Sequence, residues 1–360
     1  MRIRMRHAGA LLVFALTAFL AGTAGSAWAD RPTTIVYDSF SAPGGYTLAD
    51  YNAKWSNPYG LGDMGIAPGD TRAFGDGTFY IDDAPFRSAY DFSVYDHLKY
   101  IAISNQSFAV PALGSVQFSS QIQAATPGTV PGRVVHGTYG PPGSYPGGAA
   151  YAASVLQGQQ AGAVMNMVDF ATGQLFDWFI AGDTAFSLIE RLPSSVTGNT
   201  GDPNSPDWVG PNKMYTQIIR EHRIKAGAIH KVAIRYTREM TGSSVKYYLD
   251  GELVDTVKNV GIPLDQQGRK YSGIYPSLGP GEILRDKINS FSIGHGTFSL
   301  LDAFPFQWGW NFDPTNGWTC DTTHWASACN GSVSIPTSER LFGQGVRAHF
   351  DNFTVSTRGD

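Results

Sequence analysis

The stretch Val168–Leu192, VDFATGQLFDWFIAGDTAFSLIERL, reads as three short apolar strands joined by two tight turns. Thr172-Gly173 and Gly182-Asp183 are the turn pairs, because glycine supplies the positive φ that such turns require. Strands this short, rich in aromatic and branched residues and linked hairpin to hairpin, belong to an antiparallel sheet. The same stretch carries four acids, Asp169, Asp177, Asp183 and Glu190, among large rings.

Those turns set a register. With Thr172-Gly173 as a two-residue turn, Phe170 pairs with Leu175 and Val168 with Asp177. With Gly182-Asp183 as the next, Ile180 pairs with Ala185, Asp177 with Leu188 and Leu175 with Glu190. Alternation then puts Asp177 and Glu190 on one face as diagonal neighbours, while Asp169 faces the other way. Two carboxyl groups on one face are the requirement of glycoside hydrolysis, about 5–5.5 Å apart for retention and farther for inversion. Asp177 and Glu190 are therefore the candidate catalytic pair. The competing reading is structural: Phe170, Phe179, Phe186 and Leu188 share that face and form a core-like set around hydrogen-bonded acids.

Outward from this stretch the chain keeps the same character. From Thr34 onward, short β-type runs such as GTFYIDD, SVQFSSQIQA and HKVAIRYTRE alternate with Gly/Pro/Asn/Asp punctuation, and no sustained helical period competes. Forty-two glycines and 21 prolines with only 16% charged residues fit a turn-rich all-β protein. The expected architecture is a two-sheet antiparallel sandwich with long Gly/Pro-rich loops, one domain over residues 30–360. GTVPGRVVHGTYGPPGSYPGG and SSVTGNTGDPNSPDWVGPNK are two of those loops.

The N-terminus reads as an export signal: basic MRIRMRHAG, apolar ALLVFALTAFLAG, then TAGSAWA before Asp30. Residues 1–29 are expected to be cleaved, giving a secreted, extracellular protein. The apolar run is shorter than the roughly 20 residues a bilayer span needs, so no membrane anchor is expected. Removing Arg2, Arg4 and Arg6 leaves 23 basic side chains against 30 acidic ones, a formal net charge of −7. Without a Lys/Arg cluster this balance excludes nucleic acid as the expected partner. Cys320 and Cys329 are the two cysteines. Export favours a disulfide between them, worth about 2–3 kcal/mol for so short a loop.

Two further constellations bear on function. In YTQIIREHRIK, alternation puts Arg220 and His222 on one face and Gln217, Glu221 and Arg223 on the other. Arg220 could neutralise a uronate carboxylate while His222 handles a proton, as in a polysaccharide lyase. A solvated polar strand face is the plainer account. In FQWGWNFDPTNGWTCDTTHW, Trp308, Trp310, Trp318 and Trp325 gather within eighteen residues inside a loop, 307–344, braced by the cysteines. Flat rings match the apolar faces of sugars, so these four are the candidate ligand-binding residues, a hydrophobic plug being the other reading. Asp313, Asn316, Asp321 and Asn330 lack the spacing of a calcium loop. No metal or cofactor is assigned, and calcium is left open.

IHKVAIRYTREMTGSSVKYYLDGELVDTV (229–257) resembles the strand–turn–strand core of laminin-G-like, concanavalin A-type jelly rolls, with Asp250-Gly251 as its turn, and AHFDNFTVST resembles their closing strand. More broadly, VYDSFS, YDHLKYIA, FDWFIAGDTAFSLIERLP and GHGTFSLLDAFPFQ resemble an uncharacterised family of secreted actinobacterial proteins. The resemblance implies a jelly roll of the lectin and glucanase superfamily. It departs from glycoside hydrolase family sixteen, whose Glu-x-Asp-x-x-Glu strand motif is missing. A secreted carbohydrate-recognition or cell-surface-associated protein with a polysaccharide or glycan partner is the expected function. A glycoside hydrolase using Asp177 and Glu190 is the alternative, and a structural protein without ligand the third.

Overall fold

The computed structural model describes residues 32–56, 71–87, 98–131, 160–197, 202, 204–210, 212–269, 279–299, 310–313, 317–320 and 342–359, with backbone only at 195–196, 310–313 and 317–320. The strands are β1 (Thr33–Asp38), β2 (Trp55–Ser56), β3 (Thr71–Gly75), β4 (Thr78–Asp83), β5 (Leu98–Ala109), β6 (Gly114–Ala125), β7 (Gly162–Asp169), β8 (Gln174–Ala181), β9 (Thr184–Arg191), β10 (Tyr215–Arg223), β11 (His230–Arg238), β12 (Ser243–Leu249), β13 (Glu252–Lys258), β14 (Ser290–Phe298), β15 (Trp310–Asp313), β16 (Gly317–Cys320) and β17 (Val346–Gly359).

They build two antiparallel sheets. Sheet 1 runs β13-β12-β11-β6-β17-β4-β3, with β1 also pairing β17, and sheet 2 runs β10-β9-β8-β7-β14-β5-β2. β15 and β16 form a separate hairpin. This is the expected all-β jelly-roll sandwich. Strands adjacent in the chain are often separated in the sheets, as where β6 lies between β11 and β17, so the long crossovers of a jelly roll knit the layers together.

Alternation decides which side chains meet between the layers. Phe118 and Ile122 of β6, Ile234 and Tyr236 of β11, and Val245 and Tyr247 of β12 belong to one buried cluster with Met165 and Met167 of β7, Phe176 and Trp178 of β8, and Ile189 of β9. Phe176 stacks on Tyr236 at 6.4 Å, and the Trp178 indole N–H donates to the Ala233 carbonyl at 3.1 Å. Full burial of each large apolar side chain contributes about 1.5–3 kcal/mol. Even-numbered positions of β8 therefore face sheet 1, and odd-numbered ones, Asp177 among them, face away from it.

Local chemistry explains the connections. Asp250 (φ 52) and Gly251 (φ 90) make the expected positive-φ turn between β12 and β13. The two runs INSFSIG and GTFSLL are joined in the single strand β14. A short helix, α1 (Leu48–Lys54), was not anticipated; the Thr47 hydroxyl accepts from the Asp50 N–H at 3.2 Å and Asp50 accepts from the Thr47 N–H at 2.9 Å, a capping box. At seven residues it offers too little sequence for a helical period to be read. Among the described residues no helix is long and apolar enough to cross a membrane.

Candidate functional site

β8 and β9 pair through Asp177↔Leu188, Leu175↔Glu190 and Ala181↔Thr184, the register that Gly182-Asp183 implies. Asp177 and Glu190 are thus diagonal neighbours on the face of sheet 2 that points away from sheet 1, called here the outer face. The first hairpin is displaced from expectation: Val168 pairs with Leu175 and Asp169 with Gln174. Asp169 causes this. Its carboxylate accepts from the Ala171 N–H at 3.1 Å and from the Thr172 hydroxyl at 2.7 Å, and Gly173 (φ 74) donates back to the Asp169 carbonyl at 2.9 Å. The turn is therefore four residues long and the pairing shifts by two. An even shift preserves the faces, so Asp169 still points opposite to Asp177. Phe170 leaves the strand and sits in the turn, half-buried, rather than on the acids' face.

The outer face is apolar around the acids. Val164, Val168, Leu175, Phe179, Phe186, Leu188 and Ile218 share it and all are buried. Phe179 stacks directly on its cross-strand partner Phe186 at 4.4 Å, and Phe298 meets Phe179 edge-on at 5.8 Å. Set into this surface is a polar row that crosses four strands. The Asn166 amide of β7 donates to Asp177 Oδ1 of β8. Glu190 of β9 accepts from the Thr216 hydroxyl of β10 at 2.7 Å. Asn166 pairs directly with Asp177, and Glu190 with Thr216, so the row has one diagonal step in its middle. At the strand spacing of about 4.8 Å it extends roughly 14 Å.

Asp177 is 1% exposed and Glu190 8%, and among the described residues no Lys, Arg or His pairs with either. Burial raises the Asp177 carboxyl well above the usual carboxylate range, and the neighbouring Glu190 charge raises it further, against the Asn166 hydrogen bond. Burial also raises Glu190 from 4.5 to about 7, opposed by the Thr216 hydroxyl. Elsewhere Asp38 is matched by Lys54 at 2.9 Å and the half-buried Glu282 by Arg191 at 2.9 Å and Lys287 at 2.6 Å, while the buried Asp169 is held by the Ala171 N–H and the Thr172 hydroxyl. Arg191 follows Glu190 in sequence yet points to the opposite face.

Arg220 and His222 do share a face, the one turned toward sheet 1, and the Arg220 side chain is exposed there. Both meet Asp255 of sheet 1, Arg220 Nε at 3.4 Å and His222 Nε2 at 2.8 Å, and the Ser187 hydroxyl donates to the same carboxylate at 2.8 Å. This is a clamp between the edge strands β10 and β13. A bulge between Ile218 and Arg220 inserts Ile219 and corrects one assignment: Gln217 lies on the same side as Arg220 and His222, where it holds Asp265 at 2.7 Å and the Leu264 N–H at 2.6 Å. Glu221 stays on the outer face opposite Phe186, with one buried carboxyl oxygen unpartnered.

Trp310, Trp318, Cys320 and Asp313 lie on the β15–β16 hairpin, where only the backbone is described; Trp310 pairs with Cys320 and Phe312 with Trp318. Trp308, Trp325, Cys329, Asn316, Asp321, Asn330 and the leader lie outside the described residues. Among the described residues no group of three or more His, Cys, Asp or Glu could hold a metal ion.

Residues 37–359 match DUF6081, a family of unknown function. The chain belongs to that family. A search of curated proteins finds no match. Among solved structures, this DUF6081 member is similar to an endo-1,3-beta-glucanase from Streptomyces sioyaensis, at 10% identity and a TM-score of 0.39, with 90% of this chain and 95% of the other covered. It is also similar to the potassium-bound Emp46p carbohydrate recognition domain (6% identity, TM-score 0.32, 89% and 94% covered). A third is the exolytic PL7 alginate lyase AlyA5 from Zobellia galactanivorans (7%, 0.31, 84% and 90% covered).

Proposed function

We propose that this protein is an exported carbohydrate-recognition protein whose sugar site is the polar row on the outer face of sheet 2. The observation that carries the reading is a pair of buried carboxyl groups, Asp177 and Glu190, kept without a cation on a face that the sandwich core does not use. Burying unpaired acids is costly, and perturbed acids of this kind concentrate at functional sites. Because both carboxyls are raised, Glu190 to about 7 and Asp177 well above the usual carboxylate range, the pair gives up its protons at higher pH than ordinary acids. Protonated carboxyls donate hydrogen bonds as well as accept them. Together with Asn166 and Thr216 they offer donors and acceptors with little net charge, a set that fits a neutral polyhydroxylated ligand. The row is buried, so binding requires the side chains over it to move. Trp308, Trp310, Trp318 and Trp325 remain, in this reading, a stacking platform for the same glycan.

Glycoside hydrolysis at Asp177 and Glu190 is the second reading, favoured by Glu190 near 7, the value of a proton donor working at neutral pH. It needs the partner carboxylate ionised, which its burial opposes. A panel of glycans and soluble polysaccharides, scored for both binding and new reducing ends, separates the two. Recognition predicts binding without product, weakened in Asp177→Asn. Hydrolysis predicts product that disappears in both Asp177→Asn and Glu190→Gln. A folded protein that neither binds nor cleaves any member overturns both.

A further inference from the structure

Asn166 is buried on β7, 1% exposed, in the middle of a strand whose other outer-face residues are Val164 and Val168. An amide there is out of place among valines unless both its ends are used. One end is: its N–H₂ donates to Asp177. The other end is not, because Asn166 Oδ1 is buried without a hydrogen-bond partner. The geometry also shows where that oxygen points. Asn166 pairs with Gly294 of β14 on the side away from Asp177, and a Cβ built on Gly294 would stand 3.0 Å from Asn166 Oδ1. The free acceptor therefore lies beside Gly294, one of the two glycines of β14, where Ile103 Cδ1, 2.6 Å from the same point, closes the space and must move for a hydroxyl to enter.

Resting on the sugar-site reading above, we infer that Asn166 is a ligand-binding and specificity residue of that site: its N–H₂ positions Asp177 while its Oδ1 accepts a hydrogen from one hydroxyl of the bound sugar. The class of ligand follows from the chemistry. A carbonyl oxygen next to a protonated carboxyl accepts from a hydroxyl and is indifferent to an ether or a deoxy carbon. The fold leaves this acceptor unpaired, and the arriving hydroxyl satisfies it.

The test uses the mature full chain and a panel of methyl pyranosides with their monodeoxy analogues, binding being measured by NMR titration on wild type, Asn166→Ala and the near-isosteric Asn166→Asp. In wild type, one monodeoxy analogue binds about tenfold more weakly than its parent, as loss of one neutral hydrogen bond requires. In Asn166→Ala the parent weakens by a similar factor and that analogue loses nothing further. Asn166→Asp keeps the shape if the alanine variant fails to fold, and it shifts the affinity to lower pH by adding a third carboxyl. If wild type binds pyranosides and the deoxy pattern is unchanged in both variants, the Asn166 role is wrong while the sugar site stands. If wild type binds none, the sugar site itself falls, and this inference with it.

Discussion

Glu190 stands two residues along β9 from Leu188, the direct partner of Asp177, so the two acids lie on one face of adjacent strands and each has its own neutral hydrogen-bond donor. Pairing each acid with an amide or hydroxyl leaves its proton in place. A cation would remove it. This choice of partner gives the site its pH behaviour.

Stability should fall as pH rises through the window set by Glu190. Its folded pKa, about 7, exceeds the ordinary 4.5. Below about pH 4.5 both folded and unfolded chains hold the proton and nothing is lost. Between these values only the folded chain holds it, and the loss accumulates to on the order of 3 kcal/mol. Glu190→Gln should flatten that part of the profile. Chemical denaturation of both proteins from pH 4 to 8 measures it, and parallel profiles would contradict the assignment.

Gly294→Ala places a methyl group 2.6 Å from Ile103 Cδ1 and 3.0 Å from Asn166 Oδ1. Overpacking of this kind costs about 1–3 kcal/mol. The expected variant is folded, has a lower Tm, and is impaired in any sugar binding that wild type shows. An unchanged Tm would mean that Ile103 moves aside freely.

Asp255→Ala removes the shared partner of His222, Arg220 and Ser187 and should destabilise by about 2–3 kcal/mol, the scale of hydrogen bonds to a charged group. Hydrogen bonds from His222 and Ser187 hold the Asp255 carboxyl below its ordinary value, outweighing its burial. Its contribution is therefore present above the unfolded carboxylate pKa and lost as pH falls, opposite in sign to that of Glu190. Urea midpoints at pH 7 and pH 3 should differ between wild type and variant at the first pH and converge at the second.

Gly251→Ala tests the turn alone, since nothing lies within 4 Å of the added Cβ while φ is +90. The expected cost is about 1 kcal/mol from backbone strain, read as a lowered Tm with no change in ligand behaviour.

How much of this was legible in the sequence depended on how local each determinant is. The two-residue turn Gly182-Asp183 carries its own conformational demand, so the β8–β9 register, and with it the shared face of Asp177 and Glu190, could be read directly. The β7–β8 register could not, because the Asp169 side chain competes with the backbone and lengthens the turn. Asn166 and Thr216 escaped notice because a lone polar residue in a strand gains meaning only from the strand beside it. Which layer covers a face is likewise a property of crossovers, not of any short stretch. Burial of the outer face in addition to the core was outside the reach of alternation, since both faces of β7, β8 and β9 are buried along their whole length.

The single extra residue Ile219 has a reach beyond its own strand. Were Ile219 to take a regular place in the ladder opposite Ser187 instead of bulging, Arg220 would come opposite Phe186 and His222 opposite Thr184, both on the side of Asp177 and Glu190, and Glu221 would turn inward toward Asp255. Cations would then stand on the outer face beside Asp177 and Glu190, while an acid was driven against an acid between the sheets. One inserted isoleucine thus acts as a polarity divider. It allocates positive charge to the seam that holds the layers together and leaves the opposite surface to the buried Asp177 and Glu190. Flattening the bulge would exchange the two roles, whereas deleting Ile219 would leave Arg220 opposite Ser187 as it is.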